Sequence, residues 1–153
     1  MDLDRIDAQI VAALQNNARL SNKELASRIG IAPSTCLERV RKLEDRGAFI
    51  GFYADVSPAA LGVGLQAMVS IRLTTHSRTE IETFRAHLLA LREVSALYHV
   101  AGANDFVVHV AVSDTDHLRS LLMASFTSRP EVAHLETALI FEHTRKAVLP
   151  EVV

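Results

Sequence analysis

Apolar residues recur at helical spacing over the first third of the chain and mostly at alternate positions beyond it. Leu3, Ile6, Ile10 and Leu14 stand three and four apart, one stripe of a helix from about Asp4 to Asn17. Asp2, Asp4 and Asp7 suit the positive end of its dipole. Ser21 and Glu24 have capping-box spacing ahead of a second helix, Asn22 to Ile29, which turns Leu25 and Ile29 inward. Gly30 suits its C-terminal stop. Pro33 opens a third helix at a position where the missing N–H does no harm, and that helix ends at Arg46-Gly47. Ala48 to Tyr53 is rich in β-formers and reads as a short strand or wing. Ser57-Pro58 and Gly62/Gly64 then punctuate a connection.

From Leu65 the period changes. Leu65, Ala67, Val69, Ile71 and Leu73 alternate on one face of a strand over 65–73. Ser77 with Glu80 forms a second capping-box spacing, ahead of a helix bearing Ile81, Phe84, Leu88 and Leu91. Val94–Ala101 and Phe106–Val112 read as strands joined by the turn Gly102-Ala103-Asn104-Asp105. Asp114–Ser128 reads as a helix stopped by Pro130, and Val132–Glu142 as the last strand. The order β-α-β-β-α-β is the ferredoxin-like arrangement, one antiparallel sheet with both helices on one face. The expected fold is therefore α+β: a (winged) helix-turn-helix over 1–53, a linker over 54–64 and a ferredoxin-like domain over 65–153.

The second face of that sheet mixes Gln66, Ser70, His99, His109, His134 and Glu136 with Met68, Ala96, Val100 and Ala138. So apolar a face favours burial against a second copy over simple solvation, and a homodimer is expected.

Composition narrows the classes. Of 153 residues 49% are apolar and 22% charged, enough apolar material for a core and too little net charge for disorder. No apolar run is long enough to span a membrane, and the acidic start lacks a secretory segment, so a cytoplasmic protein is expected. Cys36 is the single cysteine, which excludes an intramolecular disulfide and a cysteine-based zinc site. The seven histidines show no close metal-ligand spacing, so neither metal nor cofactor is expected. Aromatics are sparse and Trp is absent, which argues against stacking on single-stranded bases. The net charge of −2 hides an asymmetry. Residues 1–53 hold eight Lys/Arg against seven Asp/Glu; the remainder hold eight against eleven.

The third helix carries the chemistry. With Cys36 at 0° and about 100° per residue, Val40 falls near 40°, Leu37 near 100° and Leu43 near 340°, an apolar arc expected to pack on the first two helices. Ser34, Thr35, Glu38, Arg39, Arg41, Lys42, Asp45 and Arg46 fall between about 140° and 300°, on the outward face. Arg and Lys there reach phosphates or guanine edges, and hydroxyls near the N-terminus reach phosphate or base. Three helices with the short turn Gly30-Ile31-Ala32 before the third fit a helix-turn-helix whose last helix enters the major groove of double-stranded DNA. The competing reading is a solvated face, with Glu38, Glu44 and Asp45 pairing along the helix.

Four segments carry a resemblance: Leu3-Asp4-x-x-Asp7, Asn17-Ala18-Arg19-Leu20-Ser21 ahead of Glu24-Leu25-Ala26, Pro33 through Glu44, and Gly47-x-x-Ile50-Gly51-Phe52. They resemble the Lrp/AsnC (leucine-responsive, feast/famine) family over nearly the whole chain. That resemblance implies a bacterial or archaeal transcription regulator. It would dimerise through the regulatory sheet, often assemble to octamers, and respond to an amino acid or similar metabolite. One departure is Ala32, where the family usually has Ser; losing that side-chain cap costs about 1 kcal/mol.

The resemblance also places an effector loop at Gly102-Ala103-Asn104-Asp105-Phe106, where dimers meet. The family's Gly, Asp and aromatic are present; its frequent acid and Tyr are not. It implies that Asp105 meets an effector ammonium, that N–H groups around Ala101, Gly102 and Ala103 receive a carboxylate, and that Thr137 faces the same cleft. Asn104 completes the loop. A plain hairpin turn is the competing reading. Some proteins on this frame are haem-precursor decarboxylases resembling the sirohaem type, working through cleft histidines. The cationic third helix argues for a regulator instead, since an enzyme would not need it.

Overall fold

In a computed structural model, described over residues 2–144 with Lys146, Val148 and Leu149, the chain forms two compact units. One holds the residues up to Asp55 and those from Thr144 onward; the other is Val56–His143.

The first unit is built from α1 (Arg5–Asn16), α2 (Asn22–Ile29) and α3 (Pro33–Asp45). Asp4 caps α1 by accepting the N–H groups of Ile6 and Asp7, each at 2.8 Å. At α2 the box closes in both directions: the Ser21 N–H donates to Glu24 at 2.8 Å, and the Glu24 N–H donates to the Ser21 hydroxyl at 3.3 Å. Gly30 takes a left-handed φ of 78° and donates to the Ala26 carbonyl, where a side chain would be strained. Ile10, Ala13, Leu14, Leu25, Ala26, Cys36 and Leu43 form the core between the helices. The Leu149 N–H donates to the Gln15 side chain at 2.7 Å.

Two expectations about this unit need correction. Leu37 does not join the core; it is 40% exposed. The inward line of α3 runs through Cys36 and Leu43 with half-buried Arg39 and Val40 on its flanks, so Leu37 lies beyond its edge. The segment 48–53 forms no strand. Phe49 is drawn against the helical core, its ring 5.3 Å from that of Phe52, while Ile50 and Tyr53 stay exposed. β-propensity needs a neighbouring strand to satisfy its N–H and C=O groups, and none pairs with it among the described residues.

The second unit has β1 (Leu65–Leu73), α4 (Arg78–Ala90), β2 (Val94–His99), β3 (Phe106–Val112), α5 (Thr115–Leu122) and β4 (Val132–Leu139). Sheet order is β2-β3-β1-β4, with every neighbouring pair antiparallel. Alternate residues of β1 and β3 are fully buried with Phe84 and Leu88 of α4, Leu118 and Leu121 of α5, and Phe126. The second expected helix is shorter than its apolar pattern. After Leu122 it widens into a π-turn, Met123–Thr127, whose Ser125 carbonyl accepts from His87 Nε2 at 2.9 Å. β2 and β4 also end before Ala101 and Glu142.

The opposite sheet face carries Gln66, Met68 and Ser70 of β1 beside His109 and Ala138. His99 is not on it. Register sets His99 opposite the buried Phe106, and their rings stack at 4.9 Å on the helix-covered side. Alternation along β2 accounts for this, since His99 shares the side of Leu97 and lies on the face opposite Ala96. His109 is half-buried, with Nε2 unpartnered and the His143 ring edge-on at 5.5 Å. Burial, then the neighbouring His143, pushes its pKa below the usual imidazole value.

Candidate DNA-binding surface and effector loop

The short turn after Gly30 brings α3 across α1 and α2. Asn22, the first residue of α2, donates its amide to the Pro33 carbonyl at 2.8 Å and braces the start of α3. Ala32 makes no side-chain cap, as its missing hydroxyl dictates. Ser34, Thr35, Glu38, Arg41 and Lys42 are all exposed on the outer side of α3. Lys42 donates to Glu38 at 2.7 Å, one turn away, and holds the Glu38 carboxyl below the ordinary carboxylate range. Arg41 has no ion pair among the described residues.

Arg39 departs from the helical wheel. Its guanidinium donates to Asp4 at 2.6 Å and to Asp7 at 2.7 Å, and its side chain is 32% exposed. It therefore ties α3 to the start of α1 rather than standing free beside Arg41. The bond to Arg39 is the first cause that holds the Asp4 carboxyl below its usual value. Arg46 reaches back in the same direction, donating to the Asp2 carbonyl at 2.8 Å. Asp4 and Asp7 are the residues that sequence reasoning assigned too narrowly. They were legible only as dipole-compatible acids, because an i,i+32 pairing leaves no local pattern. Cys36 is fully buried, and burial pushes its thiol pKa up, as expected for an inert core residue.

The turn after β2 is anchored by Asp105. Its N–H donates to the Ile71 carbonyl at 2.8 Å, and its own carbonyl accepts from Val100 at 2.9 Å. One carboxylate oxygen accepts the Leu73 N–H at 2.7 Å, and the other lies 3.0 Å from His76 Nε2. Both oxygens of this largely buried carboxylate thus have partners within the chain. Ala101, Gly102 and Ala103 are exposed, and their N–H groups have no backbone partner among the described residues. Asn104 is half-buried between them and Asp105.

Thr137 does not join this loop within one chain. It stands opposite Val69 on β4, with β1 between it and β3. Two strand spacings and three residues of rise put it on the order of 14 Å from Asp105. His76 is the residue that sequence reasoning missed at this loop; it follows β1 with nothing in its spacing to mark it.

Residues 3–44 match the AsnC-type helix-turn-helix domain, and residues 66–148 match the Lrp/AsnC ligand binding domain. The HTH-type transcriptional regulator AldR of Mycolicibacterium smegmatis is 47% identical over 146 residues, 95% of this chain and 85% of that protein. The leucine-responsive regulatory protein of Salmonella typhimurium is 35% identical over the same length, covering 89% of that protein. Among solved structures, a transcriptional regulator of Neisseria meningitidis in complex with L-Met superposes with a TM-score of 0.90 at 27% identity over 97% of both chains. Escherichia coli AsnC gives 0.85 at 28% identity, covering 97% of this chain and 99% of that one. A reading unit of three helices and a four-stranded ligand domain thus occur here in the order and span of these proteins. The chain is a transcriptional regulator and not an enzyme, and it belongs to the Lrp/AsnC family.

Proposed function

We propose that this regulator works in the cytoplasm by seating α3 in the major groove, under the control of an amino acid bound at the turn 101–105. The observation that carries the reading is the division of labour on α3. Arg39 is spent on Asp4 and Asp7 and fixes the helix, while Ser34, Thr35, Glu38, Arg41 and Lys42 remain exposed on its outer surface. Hydroxyls in the first turn and cations about two turns on suit a helix that enters the groove by its N-terminal half. Arg46 adds a cation near the end, beside the DNA backbone.

The assembly follows from the open sheet face. A homodimer burying Met68, Ala138 and His109 presents two α3 helices to two half-sites of a pseudo-palindrome about one helical turn apart. The exposed N–H groups of Ala101, Gly102 and Ala103 receive the effector carboxylate. Asp105 holds the loop in shape, half-buried Asn104 lines it beside the effector, and Thr137 enters the cleft from a neighbouring copy. The complex of the Neisseria protein with L-Met supports an amino acid as the ligand class. A ligand at the contact between dimers shifts the balance between dimer and octamer by its differential affinity for the two.

Selection of bound duplexes from a random pool, with and without each amino acid and alongside light scattering, tests the reading. A two-fold-symmetric motif is expected, with at least one amino acid changing both particle mass and binding. No enriched motif under any condition overturns it.

A further inference from the structure

We infer that Glu38 and Lys42 act together as one reading unit for a C·G base pair, a specificity that rests on the DNA-binding reading of α3. The Lys42 ammonium lies 2.7 Å from a Glu38 carboxylate oxygen, and the two side chains are 67% and 65% exposed. An acceptor and a donor are thus held side by side at the separation of one hydrogen bond. The major-groove edge of C·G offers the complementary pair at nearly the same separation: the cytosine N4–H donor beside the guanine O6 acceptor, about 2.9 Å apart. The carboxylate accepts the N4 hydrogen that base pairing leaves free. The ammonium has three donors, so it keeps its bond to Glu38 while reaching O6 and N7.

An A·T pair sets its one donor, adenine N6–H, between two acceptors, N7 and O4, so no donor is followed by two adjacent acceptors; beyond O4 the thymine methyl stands where guanine N7 would be. The unit therefore favours C·G. Because the two charges cancel locally, the pair adds selectivity more than attraction to phosphate. Arg39 cannot share this task, since Asp4 and Asp7 hold its guanidinium. Glu38 is the sixth residue of α3, within the half expected to meet base edges. A purely helix-stabilising i,i+4 pair would leave no trace in base preference.

Random-duplex selection with the full chain, its Glu38→Gln variant and its Lys42→Met variant tests the assignment. The wild type is expected to select one C·G pair per half-site, and replacing that pair in the selected duplex to weaken binding about tenfold or more. Both variants are expected to lose that preference, Glu38→Gln shifting toward adenine, with the other motif positions as internal reference. The assignment is overturned if both variants select the wild-type motif unchanged, or if the wild-type motif holds no fixed C·G pair. Failure of the wild type to select any motif would overturn the DNA-binding reading itself.

Discussion

Arg39 donates to Asp7 across 2.7 Å, and this one bond joins the middle of α3 to the first turn of α1, thirty-two residues away. Asp7 is the single buried charged residue of the described chain. A second oxygen, from Asp4, meets the same guanidinium nitrogen at 2.6 Å, so a helix cap and a helix–helix tie share one side chain. The pairing fixes how α3 stands on the unit that presents it.

Replacing Arg39 with Ala should therefore act through stability and helix placement, not through a lost phosphate contact. The variant is expected to melt a few degrees below the wild type. Its duplex affinity should fall while the dependence on salt keeps its slope, because no phosphate contact has been removed. Thermal melts with salt titrations check this. A reduced salt slope with unchanged stability would put Arg39 on the DNA instead.

Acid should weaken the caps in a defined window. The Asp4 carboxyl is held low chiefly by Arg39, Glu24 and Glu80 by the hydroxyls of Ser21 and Ser77, and Asp114 by the His117 N–H. A depressed carboxylate stabilises the fold above its ordinary value, roughly 4, and loses that contribution as pH falls through the folded value. Helical content followed from pH 6 to about pH 2 should hold until near 4 and then decline. The double variant Asp4→Asn, Glu24→Gln should flatten that decline.

His109 titrates in a different window. Burial and His143 depress its pKa, so the neutral ring is favoured in the fold. Its contribution is complete above the ordinary imidazole value, about 6.5, and is lost as pH falls below it. Urea unfolding at pH 7.5 and pH 5.5 should show a drop that His109→Gln reduces. An equal drop in both proteins would remove His109 as its source.

Much of this was legible in the sequence because it is local. Period-2 alternation placed β1 and β3 at their observed ends, and Ser21, Glu24, Gly30 and Pro33 set the helix limits through contacts within four residues. What the sequence hid depends on distant partners. Ala48–Tyr53 has strand propensity but no neighbour to pair with. Arg39 points outward on a helical wheel, yet finds two carboxylates on another helix. The helix after Thr115 carries an apolar stripe through Phe126, but its last turn widens where His87 takes a backbone carbonyl. Composition marked 102–105 as a turn, and only the resemblance gave it an effector role, while His76 reached it only through the fold.

The role of Asp105 separates loop geometry from ligand contact. Replacing it with Ala leaves the N–H of buried Leu73 without its acceptor, at a cost of about 1–3 kcal/mol. Asp105→Asn keeps an acceptor oxygen and should retain most of that stability. Urea unfolding of both variants, with calorimetry against the twenty amino acids, distinguishes the roles. Binding weakened in Ala but retained in Asn identifies Asp105 as a positioning residue; binding lost in both makes its charge the ligand contact.

The central claim is that the outer surface of α3 grips duplex DNA, and a salt titration measures it most directly. Fluorescence anisotropy of a selected duplex, read at several salt concentrations, should give log-affinity falling linearly with log-salt for the wild type. Arg41→Ala should bind more weakly, with a slope shallower by roughly one unit and unchanged folding. Wild-type and Arg41→Ala titrations that coincide at every salt concentration would contradict the account.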